Sequence, residues 1–243
     1  MVKSSGDFLS PEDFADSLLE WAETFGGRPN HCTKQFVERR KEGAKFPKCG
    51  ADDSQANSLI KAVVLAVRYY GLPELNEKVE AAIRVHQNDD KAVEFGLAAA
   101  KAVERVILGE SVPEVALSAD VGATPNVATA VKWVVDEKTT NPMDFYKVVA
   151  NHLNIEKPVY ATSCQLPGSF AVPLQLVYQY PSYEDAIRQN ILLGGDNCSR
   201  GVFIGALCAG AGSKIPQEWI DKTRDIRLFE KMVDVILSKR TSA

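Results

Sequence analysis

Asp196 and Ser199 lie three residues apart, directly after the pair Gly194-Gly195 and at the start of a run of small and apolar residues. On a helix that spacing turns a carboxylate and a hydroxyl to one face. Together they offer oxygen to a hard cation such as magnesium, which polarises a scissile bond and lowers the pKa of bound water. The same residues have a plainer reading. Asp196 would cap a helix by accepting backbone N–H groups, and Ser199 would simply fit tight packing. Arg200 beside them suits either a ligand phosphate or a structural ion pair, and Gly194-Gly195 could cradle an anion. Paired acids recur at Asp52-Asp53 and Asp89-Asp90. Each pair reads either as carboxylates for a cation or as acids favoured by the dipole at a helix start. His86 suits a ligand contact or a bond to a carbonyl in a turn. His31 and His152 have no partner pattern and read as surface residues. Cys164 and Cys198 have no histidine motif nearby, so they read as buried inert thiols rather than nucleophiles.

These residues must be positioned by helices. Phe8 to Ala22 begins with Ser10-Pro11-Glu12-Asp13, a cap followed by proline and acids, and carries the stripe Phe14, Leu18, Leu19 and Trp21. A basic stretch follows (Lys34, Arg39, Arg40, Lys41, Lys45, Lys48), interleaved with Glu38 and Glu42, and reads as a solvated helix face. Ser54 to Tyr70, Glu74 to Val85 and the alanine-rich stretch Asp89 to Leu108 have helical periodicity. Ser118 to Asn126 reads as a mobile connection. Val127 to Glu137 fits helix or strand, because valine favours strands while its spacing here is helical. Tyr160 to Pro167 is a small-residue loop before the apolar segment Phe170 to Tyr180. A capped helix follows to Leu193, then the helix ending at Gly212, then an amphipathic tail from Trp219 to Lys239. Strands and helices do not alternate, so the fold class is all-α.

The 243 residues are 45% hydrophobic and 25% charged, enough for a sizeable core in one large domain over residues 1–243. A net charge of -4 and a pI near 5.5 give no pull toward a nucleic-acid duplex or an anionic membrane. No apolar run reaches the length of a membrane span, and the N-terminus lacks a secretory core. Five cysteines without a CxxC spacing suit a reducing compartment, so the expectation is a cytoplasmic protein. Nothing fixes an oligomeric state.

The segment from Asn190 through Gly194-Gly195-Asp196 to Gly212, with Ile215-Pro216-Gln217-Glu218-Trp219 after it, resembles the C-terminal signature of ADP-ribosylglycohydrolases. Upstream, Ser163-Cys164 to Pro167, Phe170 to Tyr180 and Tyr183 to Ile187 resemble the segment that precedes that turn. Val85-His86-Gln87-Asn88 resembles the family's Thr-His-Asn-like element. Cys49 to Ser58 resembles a loop in a divergent branch close to the jellyfish J-type crystallins. The resemblance covers roughly residues 45 to 225. It implies a compact multi-helix ADP-ribosylglycohydrolase-like domain, here lacking the first family segment.

By the same resemblance, Asp196 and Ser199 would hold one or two magnesium ions. Asp53, Asn57, His86, Ser163 and Arg200 would meet the substrate, an ADP-ribose-like small molecule or an ADP-ribosylated target. The reaction would be metal-assisted hydrolysis of an ADP-ribosyl or related glycosidic bond. Two departures oppose it. Cys198 stands where the family has a second aspartate, and a thiol suits a hard cation poorly. The chain starts at Met1, downstream of where the family's glycine-rich helix and Thr-Asp-Asp-Thr-like turn are expected, so either the product is naturally shortened or the sequence is a fragment. The other expectation is therefore a non-catalytic protein, either crystallin-like and structural or a pseudoenzyme that binds a nucleotide ligand.

Overall fold

The computed structural model describes residues 10–120, 123–156 and 162–238. The described residues form helices α1 (Pro11–Thr24), α2 (His31–Lys41), α3 (Asn57–Tyr69), α4 (Leu75–His86), α5 (Asp90–Ile107), α6 (Val112–Leu117) and α7 (Pro125–Asp136). After them come α8 (Pro142–His152), α9 (Gly168–Gln179), α10 (Tyr183–Leu193), α11 (Asn197–Gly210), α12 (Gln217–Lys222) and α13 (Ile226–Ser238). Among the described residues there is no β-strand, only the isolated bridges Ala51–Gln87 and Gln55–Gln165. The chain is all-α, and none of the described helices is long and apolar enough to cross a membrane.

Local chemistry explains where the helices start. Ser10 caps α1 by accepting the Asp13 N–H at 3.1 Å, and Pro11 sits where no intrahelical donor is needed. Asp89 caps α5 through the Ala92 N–H at 2.7 Å, so the Asp89-Asp90 pair serves a helix start. Asp52-Asp53 does not. Helix α3 begins later, at Asn57, with Ala56 at its cap position and no side chain bonded there. The ambiguous valine segment is helical: Pro125 opens α7, and Val127, Val131 and Val134 are buried along one stripe with Ala130 and Trp133. The amphipathic tail is two helices, because Thr223, Arg224 and Asp225 interrupt it and Asp225 takes a positive φ of 62°. Lys239 lies outside the described residues, as do Phe8, Tyr160 and Ala161.

The main core gathers α3, α5, α9 and α11. Phe170 on α9 stands between Phe95 on α5 (ring centroids 5.2 Å apart, edge-on) and Phe203 on α11 (5.6 Å, stacked). All three rings are fully buried. A smaller cluster of Ala15, Phe36, Cys49 and Val85 seats α1 and α2 on the end of α4.

The basic stretch is not a uniformly solvated face. Arg40 is nearly enclosed and binds Glu12 at 2.6 Å and also Asp16, which fastens α2 to α1. Arg39 donates to the Gly50 carbonyl. Their acceptors lie on other elements, where helical charge patterning cannot reveal them.

Candidate functional site

Three non-helical segments meet beside the ends of α4, α3 and α11, and main-chain bonds join them. Residues 51–56 are tied to the end of α4 by Ala51 N–H to His86 O and Asn88 N–H to Ala51 O, both 2.8 Å. They are tied to residues 162–167 by Ala56 N–H to Cys164 O (2.8 Å) and Leu166 N–H to Ser54 O (3.2 Å). The 162–167 segment is joined to the glycine turn by Asp196 N–H to Thr162 O at 2.8 Å. Gly195 permits this approach. Its φ is +65°, and a Cβ there would lie 2.3 Å from the Thr162 carbonyl oxygen.

Asp53, Asn57 and His86 come together at the first junction. Asp53 is buried; its Oδ2 faces His31 Nδ1 at 3.0 Å and its Oδ1 accepts the Gln55 N–H at 2.8 Å. Fully buried Gln87 donates through Nε2 to the carbonyls of Asp53 and Gln55, each at 2.9 Å. The Asn57 side-chain carbonyl accepts from Asn30 at 2.9 Å, and Asn30 in turn caps α2 through the Thr33 N–H. His86 is buried with both ring nitrogens engaged, Nδ1 to Lys61 Nζ at 3.0 Å and Nε2 to Thr33 Oγ1 at 3.1 Å.

On the other side, Asp196 caps α11 by accepting the Ser199 N–H at 3.2 Å, as the capping reading had it. Both residues are half-buried, whereas Cys198 between them is exposed rather than buried. Ser163 is half-buried and accepts the Gln165 N–H at 3.3 Å. Arg200 is fully buried and faces inward. It donates to Asn190 Oδ1 (2.9 Å), to Thr162 O (2.6 Å) and to the Gly194 carbonyl. Its hydrogen-bond partners are neutral acceptors, and among the described residues it makes no ion pair; it braces the glycine turn from behind.

Burial dominates the electrostatics. It pushes the Lys61 ammonium down to about 8, partly opposed by Cys32 and Asp53. Burial, and then the Lys61 charge, hold the His86 imidazole well below its ordinary value. The Cys164 thiol is raised by burial first, then by the charges of Asp196 and Asp53. It therefore lies within electrostatic reach of both carboxylates and is a poor nucleophile.

His86 carries a pH signature. In the folded chain it stays neutral, while in the unfolded chain it gains a proton below about 6.5. Unfolding then takes up protons in acid, so stability falls as pH drops through 6.5 toward the depressed folded value. Chemical denaturation between pH 7.5 and pH 5 (about the imidazole range) should show this loss, and His86→Gln should flatten it. Equal slopes in the two proteins would count against a neutral buried imidazole.

Sequence spacing did not disclose His31, Lys61, Thr33 or Asn190. Lys61 follows Asn57 by four residues on one helix face, a weak local signal. His31 had none, since its partner is 22 residues away.

The chain belongs to the ADP-ribosylglycohydrolase family, whose description matches residues 1–243. It is similar to Crystallin J1A of Tripedalia cystophora, with 31% identity over 176 residues, 72% of this chain and 52% of that protein. Crystallin J1B of the same organism is 27% identical over 178 residues, again 72% of this chain and 52% of that protein. The chain thus spans about half the length of the curated relatives it matches. A solved structure titled "ADP-ribosylglycohydrolase-related protein complex" shares the fold, with a TM-score of 0.67 and 17% identity. That match covers 93% of this chain and 73% of the other.

The family is generally metal-dependent. The donors here do not fit a hard cation. Among the described residues no three His, Cys, Asp or Glu side chains gather as a coordination group. Both carboxylate oxygens of Asp53 are engaged by protein groups, Oδ1 of Asp196 accepts a cap bond, and a soft thiol sits at position 198.

Proposed function

We propose that this chain recognises an ADP-ribose-like group at the junction of the 51–57, 162–167 and 194–199 segments, and that metal-assisted hydrolysis is weakened or lost. Family membership supports the ligand class, since the family acts on ADP-ribosylated substrates. The observation that carries the loss is the engagement of both Asp53 carboxylate oxygens and of Asp196 Oδ1 by protein groups, beside a cysteine in place of a further carboxylate. Asn57 and Ser163 are half-buried at the edge of this junction and are the polar contacts proposed for the ligand. His86 and Arg200 would act from behind, by holding the segments in place. Five thiols without a disulfide among them suit the cytoplasm.

Titration calorimetry with magnesium and with ADP-ribose tests this reading. The natural chain should bind ADP-ribose and show no magnesium heat in the range of about 10⁻⁵ to 10⁻³ M, where oxygen-ligand sites commonly bind hard cations. Cys198→Asp places a second hard donor two residues from Asp196 and should gain magnesium binding. Magnesium binding by the natural chain, with hydrolysis that depends on it, would overturn the loss. A second reading, a crystallin-like structural role, is favoured by the 31% identity to Crystallin J1A. Failure to bind ADP-ribose would leave that one standing.

A further inference from the structure

Resting on the reading of this junction as an ADP-ribosyl site, we infer that His31, oriented by Asp53, is the group that activates water in this chain, without a metal ion. The pair combines an enclosed carboxylate with an open imidazole: the Asp53 side chain is 3% exposed and that of His31 is 66% exposed, with Oδ2 and Nδ1 3.0 Å apart. A carboxylate only accepts, so the proton of the neutral ring sits on Nδ1. The lone pair is then on Nε2, at the edge away from Asp53, where water can meet it.

Both members are held. Asp53 is fixed by the Gln55 N–H on its side chain and by Gln87 on its carbonyl. His31 is the first residue of α2, whose start is set by the Asn30 cap, and Asn30 is bonded across to Asn57 on α3. A buried acid behind an oriented imidazole is the arrangement that general-base catalysis uses to keep the ring in one tautomer.

Neighbouring groups are less suited to the task. Both nitrogens of His86 are engaged inside the protein. Lys61 is held between the Asn57 carbonyl and His86. Cys32 is buried, with its thiol on the His86 carbonyl.

The step balances without a cofactor. His31 Nε2 removes a proton from water as the water oxygen bonds to the anomeric carbon of the ribose. The bond from that carbon to the leaving oxygen breaks and its electron pair stays on the oxygen. The leaving group departs as a carboxylate, and the imidazolium then gives its proton up to solvent. Asp53 is a positioning residue in this scheme, and His31 a catalytic one.

The test uses the full chain, EDTA, and a peptide carrying ADP-ribose in ester linkage to glutamate, with ADP-ribose binding followed in parallel. The natural chain should hydrolyse the ester above the protein-free rate. His31→Ala should lose about 100-fold in kcat, the scale of a general base, with KM within about twofold. Free imidazole should restore part of it. A His31→Ala protein as active as the natural one overturns the assignment, and so does a deficit that imidazole leaves untouched. If ADP-ribose binds but the natural chain does not cleave the ester, the assignment falls and the binding reading stands. If ADP-ribose does not bind, both fall.

Discussion

Arg200→Met is expected to lower the unfolding free energy by about 3 kcal/mol, read as a fall in the urea midpoint at constant slope. Two effects compete. Burial of the guanidinium is costly, enough to push its pKa down to about 10, and methionine removes that cost while filling much of the same space. Against this, the fork makes three hydrogen bonds, to Asn190 Oδ1, Thr162 O and the Gly194 carbonyl. A hydrogen bond to a charged group contributes about 1.5–3 kcal/mol, and a buried acceptor left bare costs about 1–3 kcal/mol. Thr162 O keeps the Asp196 N–H, but the bonds from Arg200 to Gly194 O and Asn190 Oδ1 are lost. The loss outweighs the relief. Arg200→Lys should recover little, since one ammonium cannot span three acceptors in a plane. A methionine variant as stable as the natural chain would show that the brace is dispensable.

Phe170→Ala should cost about 3–5 kcal/mol, the range for emptying a fully buried aromatic site. The ring touches Phe95 from α5 and Phe203 from α11, so its loss opens a cavity where three helices meet. The surrounding backbone is helical on all three sides and can collapse only in part. Phe170 also lies three residues beyond Pro167, and its N–H bonds to the Pro167 carbonyl at 3.0 Å. Faster amide exchange in residues 162–167 should therefore accompany the drop in stability. Phe170→Leu, which keeps most of the apolar volume, should lose less than half as much. Equal losses from the two substitutions would mean that the cavity term is not what matters.

Much of this was legible in the chain. Helical periods, prolines at helix starts and the Ser10 and Asp89 caps are local signals, and the helices follow them. The Gly194-Gly195-Asp196 turn was visible for the same reason: a positive φ at each glycine and a cap at the aspartate are consequences of adjacent residues. What stayed hidden depends on partners distant in sequence. Nothing near His31 points to Asp53, and nothing near Arg200 reveals that its acceptors include carbonyl oxygens at positions 162 and 194. Main-chain acceptors leave no trace in residue identity. The paired acids show the limit well: Asp89 and Asp53 look alike in the sequence, yet one caps a helix and the other faces a histidine from another element.

The three site segments are stitched to one another mainly through peptide groups, at Ala51, Ser54, Ala56, Thr162, Cys164, Leu166 and Asp196. Every amino acid except proline can supply those N–H groups, and every one can supply the carbonyls. Most of the frame therefore tolerates a change of side chain; the exceptions are Gly195, where a Cβ would meet the Thr162 carbonyl, and Arg200, which braces Thr162 and Gly194 from behind. The side chains at positions 31 and 198 take no part in these seams, so a change of residue there leaves them closed. A scaffold of this kind can exchange its side-chain chemistry while keeping its architecture.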